Sequence, residues 1–274
     1  MVEENPFVDP TPEEVDPEGL NDRIRTQNRF STHPQSWFEW LFDHFDFQHQ
    51  SQILEVGCGP GHLWQHNQSR LNTHWEICLS DISVEMVRTV QHGLSESGPA
   101  QQPRFHYCAI NAQDIPFPAG QFDAVIAIGM LDHVSDRARV FAEIRRLLRP
   151  GGSFYTAACA RSHLQEVIEL VRPFLFASAR GTPARFDLDN GTEMLSPWFD
   201  EVRRYDYPDR YEFTQVEPAL DYVLSGTEVQ KGMTVGKRAA LRKLLEEKIA
   251  RRGSLAVHSD KGLFVAKLPR LSRE

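Results

Sequence analysis

The sequence predicts an α/β protein built on a doubly wound, mostly parallel sheet, and three of its features do so. Short apolar runs of strand length, at residues 53–56, 75–79 and 122–128, alternate with longer segments of helical period. The first run gives way at once to three glycines at alternate positions, Gly57, Gly59 and Gly61, the punctuation of a tight strand-to-helix turn. The second run ends on an acid, Asp81, about 20 residues beyond those glycines. A chain of 274 residues buries a sizeable core, either as one large domain or as a core with a small lid.

Composition narrows the class. Charged residues at 25% and hydrophobic ones at 41% are ordinary for a globular protein. The net charge of −8 argues against a nucleic-acid surface, which shows a basic stripe. No apolar run reaches the ~18 residues of a membrane span, so neither nucleic acid nor membrane is an expected partner. Cys58, Cys78, Cys108 and Cys159 show no C-x-x-C spacing and sit on or beside apolar strands. They read as free thiols in a reducing cytoplasm rather than as metal ligands or disulfides.

In chain order, residues 1–19 carry four prolines (Pro6, Pro10, Pro12, Pro17) and many carboxylates. They read as a loose acidic arm, the opposite of a signal peptide. Residues 20–50 change character, with an aromatic-dense helix over 37–45. That helix packs against the sheet or acts as a lid whose aromatics close a cavity. At 53–56 a strand broken only by Glu55 leads into the glycines, which leave no side chains between a ligand and the backbone. Residues 63–71 then read as the start of a helix.

Glycine spacing decides which ligand suits this corner. The dinucleotide fingerprint needs a third glycine at the sixth position, where this chain has His62. No Gly-Lys-Ser/Thr follows, so the P-loop fails too, and Pro60 removes a backbone N–H from any phosphate cradle. What remains is an acidic strand end, Glu55, followed by Gly-x-Gly-x-Gly. A carboxylate there suits a ligand that carries an ammonium group and no phosphate, and S-adenosylmethionine is such a ligand. The stretch resembles motif I of the class I S-adenosylmethionine-dependent methyltransferases.

The following segments extend the resemblance. Strand two, 75–81, ends in Asp81, where one carboxylate can accept from two adjacent ribose hydroxyls; its other reading is the N-terminal acid of a helix over 84–92. Strand three, 105–109, runs into 110–118, which is similar to the Gly-Asp-Ala-x-x-Leu-Pro-Phe stretch of the ubiquinone-biosynthesis-like, or type 11, branch. There the Asp contacts the adenine amino group and the next backbone amide meets a ring nitrogen. The likeness places Asn111 and Ala112 in those roles, with the uncharged Asn111 a weaker acceptor, and leaves open whether Gln113 or Asp114 helps. Strand four, 122–129, is followed at its carboxyl edge by Met130-Leu131-Asp132-His133-Val134. An amphipathic helix from Ser135 carries Val140, Phe141, Ile144, Leu147 and Leu148, and Leu-Arg-Pro-Gly-Gly at 148–152 resembles a further family hallmark before strand five, 153–158. Four such segments stand in family order between residues 53 and 158.

The resemblance implies a Rossmann-like seven-stranded, mostly parallel sheet with an antiparallel last strand, plus a helical lid over 20–50. It divides the chain into the arm, the lid and a methyltransferase domain over 51–274 with a helical insertion around 208–252. It implies S-adenosylmethionine as cofactor and S-adenosylhomocysteine as product. Glu55, with backbone carbonyls near Gly57 and Ile128, would fix the methionine ammonium; Asp81 would hold the ribose and Ile82 would lie on the adenine. Cys58, Gly59, Gly61, Gln113 and Gly129 complete the expected lining, and Arg29 is a candidate for the methionine carboxylate. His133 reads either as a general base toward an oxygen or nitrogen acceptor or as a hydrogen-bonded structural histidine.

Beyond residue 159 the expected elements are helices over 164–176 and 187–198, a strand over 200–207, helices over 217–225 and 235–252, and a closing hairpin of 254–258 and 262–268. Ser259, Asp260, Lys261 and Gly262 supply turn chemistry for that hairpin. Basic residues in 237–252 alternate with acids, as on a solvated helix face. The acceptor is expected to be a small molecule. The alternatives are a macromolecule, met by a patch at Arg203, Arg204 and Arg210, or a cofactor-binding module without turnover.

Overall fold

A computed structural model gives the architecture and describes residues 17–96, 102–174, 185–226, 229 and 232–269. Residues 1–16 of the expected arm lie outside them. The chain divides into two compact units, one of 37–160, 186–207 and 261–274, the other of 1–36, 161–185 and 208–260.

Seven strands form one sheet: β1 Gln52–Val56, β2 Glu76–Asp81, β3 Arg104–Ala109, β4 Phe122–Ile128, β5 Leu148–Cys159, β6 Glu201–Phe213 and β7 Leu255–Lys267. Their order is β3-β2-β1-β4-β5-β7-β6. β1 pairs in parallel with β2 and β4, β2 with β3 and β4 with β5, while β7 runs antiparallel to β5. This is the expected doubly wound sheet with its antiparallel last strand. The strand order reverses between β1 and β4, the point at which ligands of open α/β sheets bind.

The first unit is built around that sheet. Helix α2, Trp37–Asp43, buries Phe38, Leu41 and Phe42, so its aromatics take up packing: the Phe42 ring meets Trp75 and the Phe38 ring meets His62. Helix α3, His62–His66, stops short of the expected length because the Asn67 side chain donates to the Leu63 carbonyl at 2.8 Å and to the Phe38 carbonyl at 3.0 Å. Helix α4, Val84–Glu96, follows β2. Helix α5, Arg137–Leu147, opens where Asp136 accepts from the Arg139 N–H at 3.0 Å. Its apolar stripe of Val140, Phe141, Ile144 and Leu147 joins Val125, Phe154 and Phe264 in the main core, each side chain contributing about 1.5–3 kcal/mol by leaving water.

Arg146 on α5 ties the 115–117 loop down, donating to the Phe117 carbonyl at 2.6 Å and the Ile115 carbonyl at 2.8 Å. Glu143 accepts from Arg146 and from the Ile115 N–H, and the Arg146 hydrogen bond, first among its causes, holds the Glu143 carboxyl below its ordinary range. Arg146→Met should therefore cost about 2 kcal/mol in chemical unfolding; an unchanged midpoint would show that the loop does not depend on this anchor.

The second unit holds helices α1 Pro17–Phe30, α6 Gln165–Val171, α8 Val216–Leu224 and α9 Val235–Arg252, with α7, Gly191–Leu195, placed in the first. Its own core joins Val167, Tyr211, Leu220, Val223, Leu241, Leu245 and Val257. Thr234 opens α9 and Gly253, at φ 82°, closes it.

Four expectations beyond residue 159 are corrected. The helix expected over 187–198 is confined to α7, Gly191–Leu195. The helix expected over 164–176 ends at Val171, followed by a short 3-10 turn to Phe174, and 175–184 lie outside the described residues. β6 continues six residues past the expected end at Tyr207. The closing hairpin does not form: β7 is a single strand, and Lys261 and Gly262 sit in register opposite Cys159 and Ala158. Gly262 marks a close approach rather than a turn, since a Cβ there would stand 2.6 Å from the Tyr205 carbonyl oxygen. All four cysteines are free thiols.

Candidate functional site

The carboxyl ends of β1, β2 and β4 bring the glycine turn, Asp81 and Gly129 to one edge. The turn is anchored to β2 by the Cys58 N–H, which donates to the Ser80 carbonyl at 2.9 Å. Cys58 is buried, and among the described residues its thiol donates to the neighbouring Gly59 carbonyl, at 3.6 Å. The three glycines do different jobs. A Cβ on Gly61 would stand 2.2 Å from Val90 on α4, so that glycine permits close helix packing, and one on Gly57 would collide with Met130. At Gly59 and Gly129, both with positive φ, a Cβ would meet nothing within 4 Å. Those two positions leave bare backbone beside open space.

Asp81 closes the corner. One carboxylate oxygen accepts from the Gly59 N–H at 3.0 Å and the other from the Ser83 N–H at 2.9 Å. With about four acceptor sites on a carboxylate, each oxygen keeps capacity for a further donor. Ile82 and Val84, immediately after Asp81, are 46% and 51% exposed, an apolar step beside a carboxylate that a flat ring could cover.

Glu55 is 2% exposed and its carboxylate accepts from the Trp64 indole N–H. Burial, offset in part by that hydrogen bond and reinforced by Asp81, pushes its carboxyl up from 4.5 to about 8. The Cys58 thiol is likewise pushed up, by burial first and then by Glu55 and Asp81. A buried carboxyl beside a second acid is a site short of positive charge.

At the end of β3, Asn111 accepts from the Gln113 N–H through its side-chain oxygen at 2.9 Å, and its own side chain is exposed. Gln113 is occupied elsewhere: its side-chain oxygen accepts from the Asp136 N–H at 3.2 Å and from Ser135 at 3.4 Å. Ala112 points into the core, which leaves its backbone for a ligand. β4 ends at Ile128, and the next residues lead to a 3-10 turn of Leu131–His133. His133 closes that turn with its backbone N–H on the Met130 carbonyl at 3.1 Å. Its half-buried imidazole makes no hydrogen bond among the described residues, so the ring is not the cap. Arg29 ends α1 in the other unit, its guanidinium 5.2 Å from the centre of the Phe30 ring.

Two residues of the edge escape sequence reading. Trp64 reads as one more apolar helix residue, although a buried indole N–H usually finds an acceptor and Glu55 was available. Met130, which fills the space over Gly57, carries no local signal. Among the described residues no group of three or more His, Cys, Asp or Glu side chains is placed to hold a metal ion, and no helix is long and apolar enough to cross a membrane.

The residues fit S-adenosylmethionine: open backbone at Gly59 and Gly129, a carboxylate with spare acceptor capacity at Asp81, an exposed apolar residue at Ile82 and a buried acid at Glu55. Comparison with known proteins agrees. The profile of the family described as Methyltransferase domain matches residues 54–156. UbiE, a ubiquinone/menaquinone biosynthesis C-methyltransferase of Vibrio cholerae, is 25% identical over 140 residues, 51% of this chain and 53% of that one. A ubiquinone biosynthesis O-methyltransferase of Xanthomonas oryzae is 31% identical over 114 residues, 41% of this chain and 44% of that one. The chain thus spans about half the length of these relatives. Among solved structures, the YcgJ protein of Bacillus subtilis shares the fold with a TM-score of 0.53, at 16% identity over 85% of this chain and 98% of that one.

Proposed function

We propose, from the premise that residues 54–156 belong to the class I S-adenosylmethionine-dependent methyltransferase domain family, that the chain transfers a methyl group to a small-molecule acceptor. The observation that carries this is the corner of Asp81, Gly59 and Gly129, where a carboxylate faces bare backbone and open space. Both relatives named above are small-molecule methyltransferases by name, and the net charge of −8 disfavours a nucleic-acid acceptor. Four free thiols favour a reducing cytoplasm as its location.

When bound, the cofactor supplies an activated methyl on a positively charged sulfur, so the protein's task is to orient it and keep water away. Asp81 holds the ribose hydroxyls through its spare lone pairs, and Ile82 covers one face of the adenine. Asn111, whose side-chain oxygen accepts from the Gln113 N–H, offers that oxygen's second lone pair to the adenine amino group, while the Ala112 backbone meets a ring nitrogen. Glu55, with the carbonyls of Gly57 and Ile128, neutralises the ammonium. His133, its ring unengaged, takes the proton from an oxygen or nitrogen acceptor.

The test is formation of S-adenosylhomocysteine from deuteromethyl-labelled cofactor against panels of phenols, amines and enolisable carbonyl compounds, with total RNA and protein in parallel. Label in a small molecule is expected; label confined to RNA or protein would refute the acceptor class. On an oxygen or nitrogen acceptor, His133→Ala should slow turnover by roughly a hundredfold without weakening cofactor binding, and an unchanged rate would remove it from the chemistry.

A further inference from the structure

The buried bond between Trp64 and Glu55 does more than satisfy an indole. The Trp64 Nε1 to Glu55 Oε2 distance is 2.5 Å, and the two side chains are 0% and 2% exposed. No other hydrogen bond reaches the Glu55 carboxylate among the described residues, so one oxygen is held and the other is uncommitted. We propose that Trp64 is a positioning residue for the cofactor, gripping Glu55 by one oxygen so that the other is presented to the cofactor's ammonium group. The proposal rests on the reading that this edge binds S-adenosylmethionine.

The surroundings explain why a grip is needed. In the sheet Glu55 lies in register between Leu79 of β2 and Ile126 of β4, both apolar and buried. The charged or titratable groups that face it are Asp81 from the end of β2 and Cys58 from the glycine turn. Neither stabilises a carboxylate: Asp81 favours its protonated form, and the Cys58 thiol, itself pushed up, brings no positive charge. Trp64 is the one donor among the described residues, and its hydrogen bond works in the opposite direction. Its place is set by the turn itself: α3 begins directly after Gly61, so the glycines that bare the backbone also fix the indole. An ammonium arriving at the free oxygen then meets an acid already oriented and partly biased toward charge.

A purely structural tryptophan would affect every ligand of the edge alike, and this separates the two roles. Binding is measured by calorimetry between about pH 6 and 9 for S-adenosylhomocysteine, which carries the ammonium, and for 5′-methylthioadenosine, which lacks it. In Trp64→Phe, S-adenosylhomocysteine should bind roughly ten- to a hundredfold more weakly, with 5′-methylthioadenosine unaffected. The pH at which S-adenosylhomocysteine reaches full affinity should rise, because the lost donor favoured the charged acid. Against a Glu55→Gln background the Trp64→Phe change should add no selective loss. Equal loss of both ligands, or no loss and an unmoved pH profile, overturns the proposal. Should Trp64→Phe fail to fold, β-(3-benzothienyl)alanine at position 64 keeps the ring outline without the N–H and is judged by the same outcomes. If the unaltered protein binds neither ligand, it is the cofactor assignment that fails, and the proposal with it.

Discussion

Taking the ligand-free protein from about pH 5 to about pH 9 should lower its folding stability by about 4 kcal/mol through Glu55 alone. The carboxyl is pushed from 4.5 to about 8, by burial first, and each tenfold change in proton affinity is worth about 1.4 kcal/mol. The sign follows from proton counts. Between those two values the folded chain keeps a proton that the unfolded chain has released, so raising the pH favours unfolding. The contribution is fully present below about pH 4.5 and is lost as the pH climbs through 8. Glu143 and Glu166, whose carboxyls are lowered, act in the opposite sense and at lower pH. Chemical unfolding across this range reads the effect directly, and Glu55→Gln should flatten the slope. A Glu55→Gln chain with the slope of the unaltered protein would show that the buried acid does not govern it. Cofactor should recover part of the loss, since an ammonium partner stabilises the charged acid.

Asp81→Ala should reduce cofactor affinity by about 3 kcal/mol, more than a hundredfold. Two losses combine. The ribose hydroxyls lose a charged acceptor, and the Gly59 and Ser83 N–H groups, now held at 3.0 and 2.9 Å, are released, so the turn must be ordered by the ligand. Asp81→Asn, which keeps an acceptor but no charge, should fall between. The dissociation constant of S-adenosylhomocysteine checks this, with thermal unfolding to confirm the fold. Unchanged affinity in the alanine variant would take Asp81 out of the ribose site.

The sheet half was legible in sequence because its elements are locally determined. A run such as 122–128 has the length and composition of a buried strand, Gly-x-Gly-x-Gly can only be a turn, and the spacing of Val140, Phe141, Ile144 and Leu147 marks α5. The edge residues followed from their places at strand ends. What was not legible depends on partners distant in sequence. Lys261 and Gly262 look like a turn until β5 lies opposite them and the Tyr205 carbonyl crowds the glycine. Gln113 looks available to a ligand until Asp136 takes its side-chain oxygen. Trp64 and Glu55, nine residues apart, give no periodic signal of pairing. In each case a tertiary contact overrides a local preference.

The most direct measurement is calorimetric titration of the purified protein with S-adenosylmethionine, S-adenosylhomocysteine and, as a control for the failed dinucleotide spacing, NADH. Saturable heat with the two sulfur nucleosides, at one site per chain and none with NADH, is the expected result. Heat with NADH and none with either sulfur nucleoside would contradict the assignment of the glycine turn, and with it the function built on it.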